Sequence, residues 1–136
     1  MKDDNQLKQE NPELYKVARN SGTEAPYAGK YVHEKAKGMY KCAVCGQTLF
    51  SSDAKFDAEA GPAGLRGWPS FDQAIPGSTI HVEDNSMGMH RTEIQCSNCK
   101  AHLGHIFDDD TAPTGKHYCI NSVCLDLAKE EKNENN

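Results

Sequence analysis

Residues 96–107 read CSNCKAHLGHIF and begin with one Cys-x-x-Cys pair, Cys96 and Cys99. A second pair, Cys42 and Cys45, stands earlier in CAVCG, so four thiols lie on two short knuckles. Four thiolates arranged in this way suit a tetrahedral zinc ion, with Zn–S distances of about 2.3 Å. The 50 residues between the pairs exceed an ordinary zinc-finger spacer, so two hairpins that are distant in the chain must meet in space. The pattern predicts one structural zinc ion per chain, because a closed four-cysteine shell leaves no position for a substrate.

Other uses of these cysteines are disulfides or a redox pair. A thioredoxin-like site needs one Cys-x-x-Cys at the start of a helix in a βαβ unit, and neither pair here has that context. The six cysteines could form three disulfides, but reducing compartments disfavour them, and the N-terminal sequence MKDDNQLKQENPELYK lacks the apolar core of an export signal. Metal binding or catalysis is therefore preferred, with a disulfide or redox role as the alternative.

The composition narrows the class of protein. The chain has 136 residues, a net charge of -5 and a pI of about 5.6, so it lacks the basic surface that tracks phosphate backbones. No stretch approaches the apolar length that spans a bilayer, so neither nucleic acid nor membrane is an expected partner. We expect a cytoplasmic protein with one domain over residues 12–127. Disordered tails are expected over 1–11 and 128–136, because both ends are charged and polar.

The apolar residues predict a mostly β fold with one short helix. PELYKVARNSG, from Pro12, has Leu14 and Val17 at helical spacing and a proline in the first turn, which predicts the helix. Beyond it, short apolar runs are separated by Gly, Pro, Asn and Asp, a pattern typical of antiparallel strands. These runs lie at 39–40, 48–50, 78–82, 92–94 and 117–127. The glycine-rich residues 57–67 are expected to form a surface loop.

Cys119 and Cys124 remain after the metal cysteines are assigned, and both lie in KHYCINSVCLDL, which we interpret as one strand. Side chains alternate along a strand, so His117, Cys119 and Asn121 share a polar face, while Cys124 faces the core. A thiol beside an imidazole and an amide is a plausible nucleophile, because nearby cationic or donor groups lower the pKa of a thiol. The alternative is a buried structural cysteine.

Two histidines and the single tryptophan are further candidates. His102 and His105 follow the second metal knuckle, which would anchor them, and histidine is the side chain best suited to proton transfer near neutral pH. The alternative is that both rings cap or fill space. Trp68 follows the glycine-rich loop and could form an apolar wall of a binding site, or else anchor the core.

Taken together, the motifs CAVCG, GWPSF, CSNC, HLGHIFDD and HYCINS closely resemble the B-type methionine sulfoxide reductases. The resemblance runs from about Pro12 to Leu125 and includes GTEAPYAGKY at 22–31 and MHRTEIQC at 89–96. It implies two small antiparallel sheets packed together with an N-terminal helix, as in other zinc-bearing Mss4-like domains.

The resemblance also implies residue roles. The catalytic set is an attacking cysteine, two imidazoles near the sulfoxide oxygen and a polar group: Cys119, His102, His105 and Asn121. The substrate-binding set is the ring that receives the methyl group and two neighbours: Trp68, Phe71 and His117.

The implied reaction is attack of the Cys119 thiolate on the sulfoxide sulfur, which releases methionine and leaves a sulfenic acid. Family members act on the R epimer in proteins and peptides. We expect a monomer whose sulfenic acid is reduced by a thioredoxin-like protein or another thiol.

The chain departs from the family pattern in several places. Many members carry a resolving cysteine just before GWPSF, where this chain has none. On a continuous strand, Cys124 would lie roughly 16 Å from Cys119 and on the opposite face, whereas a disulfide requires Cα atoms within about 7 Å. His117 stands where the family often has arginine, and Asp110-Thr111 replaces a usual Gly-Pro.

Two other classes of protein share part of this pattern. A zinc-binding module of the same fold would keep the metal cysteines but would not need Cys119, Trp68 and the two histidines together. A zinc-ribbon protein of nucleic-acid complexes is disfavoured by the acidic charge.

Overall fold

The computed structural model of the chain describes residues 3–130, and within them two short helices precede nine strands. The helices are α1 (Asp4–Glu10) and α2 (Pro12–Asn20). The strands are β1 (Gly38–Cys42), β2 (Thr48–Ser51), β3 (Lys55–Phe56), β4 (Ser70–Phe71), β5 (Thr79–Asp84), β6 (Arg91–Cys96), β7 (His102–Asp108), β8 (Lys116–Ile120) and β9 (Leu125–Lys129). No helix in this part of the chain is long and apolar enough to cross a membrane.

The strands form two antiparallel sheets, as predicted. One has three strands in the order β2-β1-β9, and the other has six in the order β3-β4-β8-β7-β6-β5. Aromatic rings form the contact between the two sheets. Phe71 of the larger sheet stacks on Phe50 of the smaller one, with 4.3 Å between ring centroids. Tyr40 meets Phe71 edge-on at 5.2 Å. Each such fully buried ring contributes on the order of 2 kcal/mol through removal of apolar surface from water.

The predicted helix is α2. Its cap is Asn11, whose side chain accepts a hydrogen bond from the Leu14 N–H at 3.2 Å, and Pro12 occupies the first position. Leu14, Val17 and Ala18 form its buried face, which packs against β7 and the turn at residues 122–124. This helix therefore backs the strand that carries both candidate histidines.

The expectation of a disordered tail over residues 1–11 is wrong for the described part of that segment. Residues 4–10 form α1, which is capped by the Asp3 side chain at the Gln6 N–H, 2.8 Å away. Leu7 is 1% exposed and joins the core, so a single apolar residue in a polar stretch anchors the helix. In the second expected tail, β9 extends through Lys129, and residues 131–136 lie outside the described residues.

The expected strand over 117–127 is two strands in different sheets. β8 ends at Ile120, and a short 3-10 turn over Ser122–Cys124 follows, in which the Cys124 N–H donates to the Asn121 carbonyl at 3.0 Å. The chain then enters β9 beside β1. Apolar composition alone did not reveal this crossing between sheets, and the estimate of roughly 16 Å between the two thiols loses its basis.

The six-stranded sheet has one core face and one polar face. Directly paired residues share a face, and Cys119 pairs with both Ser70 and His105, while His105 also pairs with Glu93. The opposite face carries Ile94, Gly104 and Ile120, because Gly104 pairs with Ile94 on one side and with Ile120 on the other. The sheet therefore gathers the polar side chains of four strands opposite the apolar core.

A β-bulge in β7 brings both candidate histidines to the polar face. Residues three apart in a regular strand point to opposite faces. Here Ile94 pairs with Gly104 but Gln95 pairs with His102, so Leu103 is an extra residue. As a result His102 and His105 lie on one face with ring centroids 5.4 Å apart.

Gly104 allows β7 and β8 to approach each other, because a Cβ there would lie 2.0 Å from the Cys119 carbonyl oxygen. We expect Gly104→Ala to lower the free energy of unfolding by about 3 kcal/mol, since backbone must move to relieve this overlap. Gly64→Ala is the control: it meets nothing within 4 Å and should stay within about 0.5 kcal/mol of wild type. Chemical denaturation of the metal-loaded proteins measures both. Equal stabilities of the two variants would contradict the close approach.

Candidate active site and metal centre

The four cysteines of the two knuckles meet at one point. Their sulfur atoms all lie within 4.8 Å of one another, with 3.7 Å between Cys42 and Cys99 and 3.6 Å between Cys45 and Cys96. A tetrahedron with metal–sulfur bonds of about 2.3 Å has edges of about 3.8 Å, so the donor set fits a zinc-sized thiophilic ion. Hydrogen bonds from the Cys42 and Cys99 thiols hold the pKa of Cys96 well below its usual value, whereas hydrogen bonds to Cys96 and Cys99 raise the pKa of Cys42.

The two knuckles have the same backbone. The Gly46 N–H donates to the Cys42 carbonyl at 2.8 Å, and the Lys100 N–H donates to the Cys96 carbonyl at 2.9 Å. Gly46 has φ 83° and Lys100 has φ 63°, so a left-handed residue follows each pair. One knuckle belongs to the smaller sheet and the other to the larger, so a metal ion held here would join the two sheets.

A small cavity of about 90 Å³ opens beside the Cys119 thiol. It is lined by residues from five separate parts of the chain, one of which includes the end of the glycine-rich loop. The lining residues are Thr23, Gly64, Leu65, Trp68, Arg91, Gly104, His105, Phe107, Cys119 and Asn121. Four of the predicted site residues are therefore together: Cys119, His105, Asn121 and Trp68.

The Cys119 thiol is half-buried and borders this cavity. Its Sγ lies 3.6 Å from the Leu65 carbonyl oxygen, which belongs to the predicted loop over residues 57–67. Burial, and secondarily the charge of Asp109, raises the pKa of Cys119 to about 12. The expectation that neighbouring groups lower this pKa is not met, because burial of the thiol and the charge of Asp109 both oppose the thiolate.

His105 is held by a carboxylate at the cavity edge. Its Nε2–H donates to Asp84 Oδ2 at 2.8 Å, and the Arg91 guanidinium contacts the same oxygen at 3.2 Å. Hydrogen bonds from Ser86 and His105 hold the pKa of Asp84 well below its usual range. Burial lowers the pKa of His105, against the opposing effect of Asp84, so the neutral ring is favoured and its Nδ1 is left as an acceptor.

His102 lies behind His105 and outside the cavity lining. Its Nδ1–H donates to Glu93 Oε2 at 2.5 Å, while its buried Nε2 has no hydrogen-bond partner. The ring is 4% exposed. The two histidines are therefore close neighbours in the fold, but only His105 borders the space beside the thiol.

Asn121 and Trp68 form two further walls, and both are fixed by hydrogen bonds. The Asn121 amide donates through Nδ2 to the Leu103 carbonyl at 2.9 Å and accepts at Oδ1 from the Glu24 N–H at 2.9 Å. The indole N–H of Trp68 donates to the Glu24 carbonyl at 3.0 Å. Asn121 is part of the cavity lining, and its Nδ2 donates to no second protein acceptor within the described residues.

Phe71 does not line the cavity, contrary to the expectation that it contacts substrate. The register pairs Ser70 with Cys119 and Phe71 with Tyr118, so Phe71 points to the core face, where it is fully buried. Strand alternation inside GWPSF separates this residue from the side of the sheet that carries the thiol.

His117 also lies outside the cavity lining, although it shares the face of Cys119. The ring is fully buried: Nδ1–H donates to Asp109 Oδ2 at 2.9 Å, and Nε2 lies 2.8 Å from Ser70 Oγ. The Ser70 hydroxyl also lies 3.0 Å from the Trp68 carbonyl oxygen. This imidazole stands where the family pattern has arginine, and its contacts are with Asp109 and Ser70 and not with the cavity.

The residues that sequence reasoning missed are the hydrogen-bond partners of the site. Asp84, Glu93 and Arg91 lie on β5 and β6, and Glu24 lies in the 22–31 segment. Arg91 and Glu93 alternate within MHRTEIQC, a signal that they share a face. Their partners could not be named, because pairing register between strands is not visible in one sequence.

Cys124 is buried away from the cavity. It is 1% exposed, and its Sγ lies 3.3 Å from the His102 carbonyl oxygen, on the core side of β7. Burial raises the pKa of this thiol beyond the usual range of cysteine. The prediction of a buried cysteine is confirmed.

Comparison with known proteins agrees with this arrangement. The SelR domain model matches residues 10–129. The chain is 50% identical over 122 residues to the peptide methionine sulfoxide reductase MsrB of Methanosarcina barkeri. The aligned region covers 89% of this chain and 82% of that protein. It is 51% identical over 117 residues to the protein of the same name from Pseudomonas putida, with 85% of each chain covered. It is also 48% identical over 124 residues to the mitochondrial methionine-R-sulfoxide reductase B3 of Mus musculus, covering 90% of this chain and 47% of the mouse protein. Since these matches extend across the cavity and the cysteine cluster, the chain belongs to the SelR-domain family of B-type methionine sulfoxide reductases.

Proposed function

We propose that this chain reduces the R epimer of methionine sulfoxide in proteins and peptides back to methionine. The observation that carries the proposal is the cavity that combines a thiol, an imidazole and an indole at Cys119, His105 and Trp68. The cavity has a volume of about 90 Å³, which suits a short side-chain tip such as the methylsulfinyl group of the substrate, with its carbon, sulfur and oxygen atoms.

The reaction consumes one thiol and one sulfoxide. The Cys119 sulfur attacks the sulfoxide sulfur, the S–O bond breaks, and the oxygen is transferred to give a Cys119 sulfenic acid and methionine. The thiol proton leaves during the attack, because a pKa of about 12 keeps the resting thiol protonated. His105, whose Nδ1 is an acceptor, is the ring at the cavity that can relay this proton to the oxygen.

The asymmetry of the cavity supports selection of one epimer. Trp68 provides an apolar wall for the methyl group, while the free Nδ2–H of Asn121 and the ring of His105 provide polar contacts for the oxygen. Exchanging methyl and oxygen would place the oxygen against the indole and leave polar groups unpaired, which is costly in a desolvated site.

Regeneration of Cys119 is proposed to use an external thiol, either thioredoxin or a small thiol. No other cysteine lines the cavity within residues 3–130, and Cys124 is buried on the far side of β7. We propose that the cluster of Cys42, Cys45, Cys96 and Cys99 holds one structural zinc ion, since four sulfur donors fill its coordination. The protein is proposed to act as a monomer in the cytoplasm, with residues 12–127 as the reductase domain.

The first test uses separated epimers of a methionine sulfoxide peptide. We expect the wild-type protein to reduce only the R epimer, and Cys119→Ser to lose activity by at least about 10³-fold, since the nucleophile is absent. Cys124→Ala is the matched thiol control and should keep activity with dithiothreitol as reductant. After one turnover without reductant, mass spectrometry should find one added oxygen atom at Cys119. Reduction of the S epimer, or a Cys119–Cys124 disulfide, would contradict the proposal.

The second test concerns thiol ionisation. Because the pKa of Cys119 is raised, the fraction of thiolate in the resting protein rises only in strongly alkaline solution. We expect the rate of Cys119 alkylation by iodoacetamide to increase about tenfold per pH unit through pH 9, whereas a free cysteine levels off above its pKa of about 8.5. Mass spectrometry of the metal-loaded protein gives the rate, and Cys119→Ser gives the background. A plateau with a midpoint below pH 8 would show an ionised thiol instead.

The third test removes the metal. Structural zinc sites contribute on the order of 10 kcal/mol of apparent binding energy, comparable to the whole stability of a small domain. Stripping the ion with a strong chelator should therefore abolish or sharply lower the thermal unfolding transition, and added zinc should restore it. Cys42→Ser should show the same loss without chelator, unlike Cys124→Ala. An unchanged transition in protein with metal demonstrably removed is the opposing result.

A further inference from the structure

Glu24 lies in the 22–31 segment, GTEAPYAGKY, and uses its backbone to hold two walls of the cavity. Its N–H donates to Asn121 Oδ1 at 2.9 Å. Its carbonyl oxygen accepts the indole N–H of Trp68 at 3.0 Å. One residue thus fixes both the amide and the indole that border the reacting thiol, and neighbouring Thr23 is itself part of the lining.

The side chain of Glu24 secures that backbone from the other side. Oε1 accepts the Ser122 N–H at 2.6 Å and Oε2 accepts the Val123 N–H at 3.1 Å. These are the first N–H groups of the 3-10 turn that follows β8, and such groups have no acceptor within the turn itself. The two carboxylate oxygens of Glu24 provide the missing acceptors. The carboxylate therefore connects the 22–31 segment to the chain just three residues beyond Cys119.

Two further contacts hold the segment at close range. The Tyr27 N–H donates to the Gly67 carbonyl at 2.7 Å, immediately before Trp68. On the other side, a Cβ at Gly29 would lie 2.1 Å from Ser122 Oγ and 3.0 Å from Glu24 Oε1, so only glycine permits this approach. The segment is thus tied to both the tryptophan loop and the turn after β8.

We infer that Glu24 is a positioning residue for the reductase reaction, which sets the relative placement of Trp68 and Asn121 by anchoring the 22–31 segment to the turn at Ser122 and Val123. The inference rests on the proposed function. It assigns to Glu24 no contact with substrate: the residue acts through the indole that receives the methyl group and through the amide that faces the oxygen. Misplacement of such groups by about 1 Å can cost about 10²-fold in rate.

The experiment compares Glu24→Ala and Glu24→Gln with wild type. The alanine variant removes both acceptors, while glutamine keeps one oxygen and turns an amide donor toward the second backbone N–H. We expect kcat/KM for the R-epimer peptide to fall about 10- to 100-fold in Glu24→Ala and by an intermediate factor in Glu24→Gln. KM should rise because the Trp68 ring that contacts the substrate methyl group is displaced. kcat should fall because the Asn121 amide that faces the oxygen is displaced.

Trp68 supplies a readout that does not depend on activity, because it is the single tryptophan of the chain. In the folded, zinc-loaded Glu24 variants we expect the emission maximum of Trp68 to shift to the red and acrylamide to quench it more strongly. The reason is that the indole would no longer pack against the 22–31 segment and would be more exposed to water. Glu13→Gln removes a neighbouring exposed carboxylate on α2 and should leave both emission and kinetics at wild-type values. Leu49→Ala, in the core beside β1, controls for lowered stability alone and should leave Trp68 emission unchanged when folded.

The outcomes separate the two proposals. Wild-type emission together with kcat/KM within twofold of wild type in Glu24→Ala overturns the inference, as does an equal loss of kcat/KM in Leu49→Ala. Failure of the wild-type protein to reduce the R epimer overturns the proposed function, and Trp68 emission then still decides the placement role of Glu24. If Glu24→Ala does not fold, Glu24→Gln carries the same comparison.

Discussion

Four sulfur atoms at the junction of the two sheets constrain the rest of the molecule. Cys42 ends a strand of the smaller sheet, and Cys96 ends a strand of the larger one. Their partners in each knuckle complete a tetrahedral donor set only when the two sheets have one relative placement. β7 begins three residues after Cys99, so the position of both histidines follows from the position of the cluster. A cross-link between segments this far apart in the chain also removes much conformational freedom from the unfolded state.

The polar face of the larger sheet repeats one arrangement three times. Each of its imidazoles has a carboxylate partner from elsewhere in the chain: His102 with Glu93, His105 with Asp84, and His117 with Asp109. A carboxylate of this kind fixes the tautomer and the orientation of a ring, as in other histidine sites. The three pairs differ in exposure, because only His105 borders the cavity. The same histidine–carboxylate hydrogen bond thus orients the ring that lines the cavity and the two rings that lie behind it.

The parts of the site that the sequence predicted are those encoded by short spacing along the chain. The metal cysteines, Cys119 and the histidine pair each belong to a compact motif. The structure brings the four metal cysteines together and places Cys119 beside His105. The motif GWPSF predicts Phe71 at the site, but strand alternation turns Ser70 and Phe71 to opposite faces of the sheet. The helix α1 was missed because one buried leucine in a polar stretch gives no periodic signal. Carboxylate partners depend on register between strands, which a single sequence does not encode locally.

The bulge at Leu103 also limits how β6 and β7 can pair during folding. Because the extra residue keeps His102 on the face of His105, regular pairing without the bulge would turn the His102 ring into the core and away from Glu93, while Leu103 would turn to the polar face. Burial of an imidazole without its carboxylate is unfavourable. The chain therefore disfavours the bulge-free register of this strand pair through the side chains that it would bury.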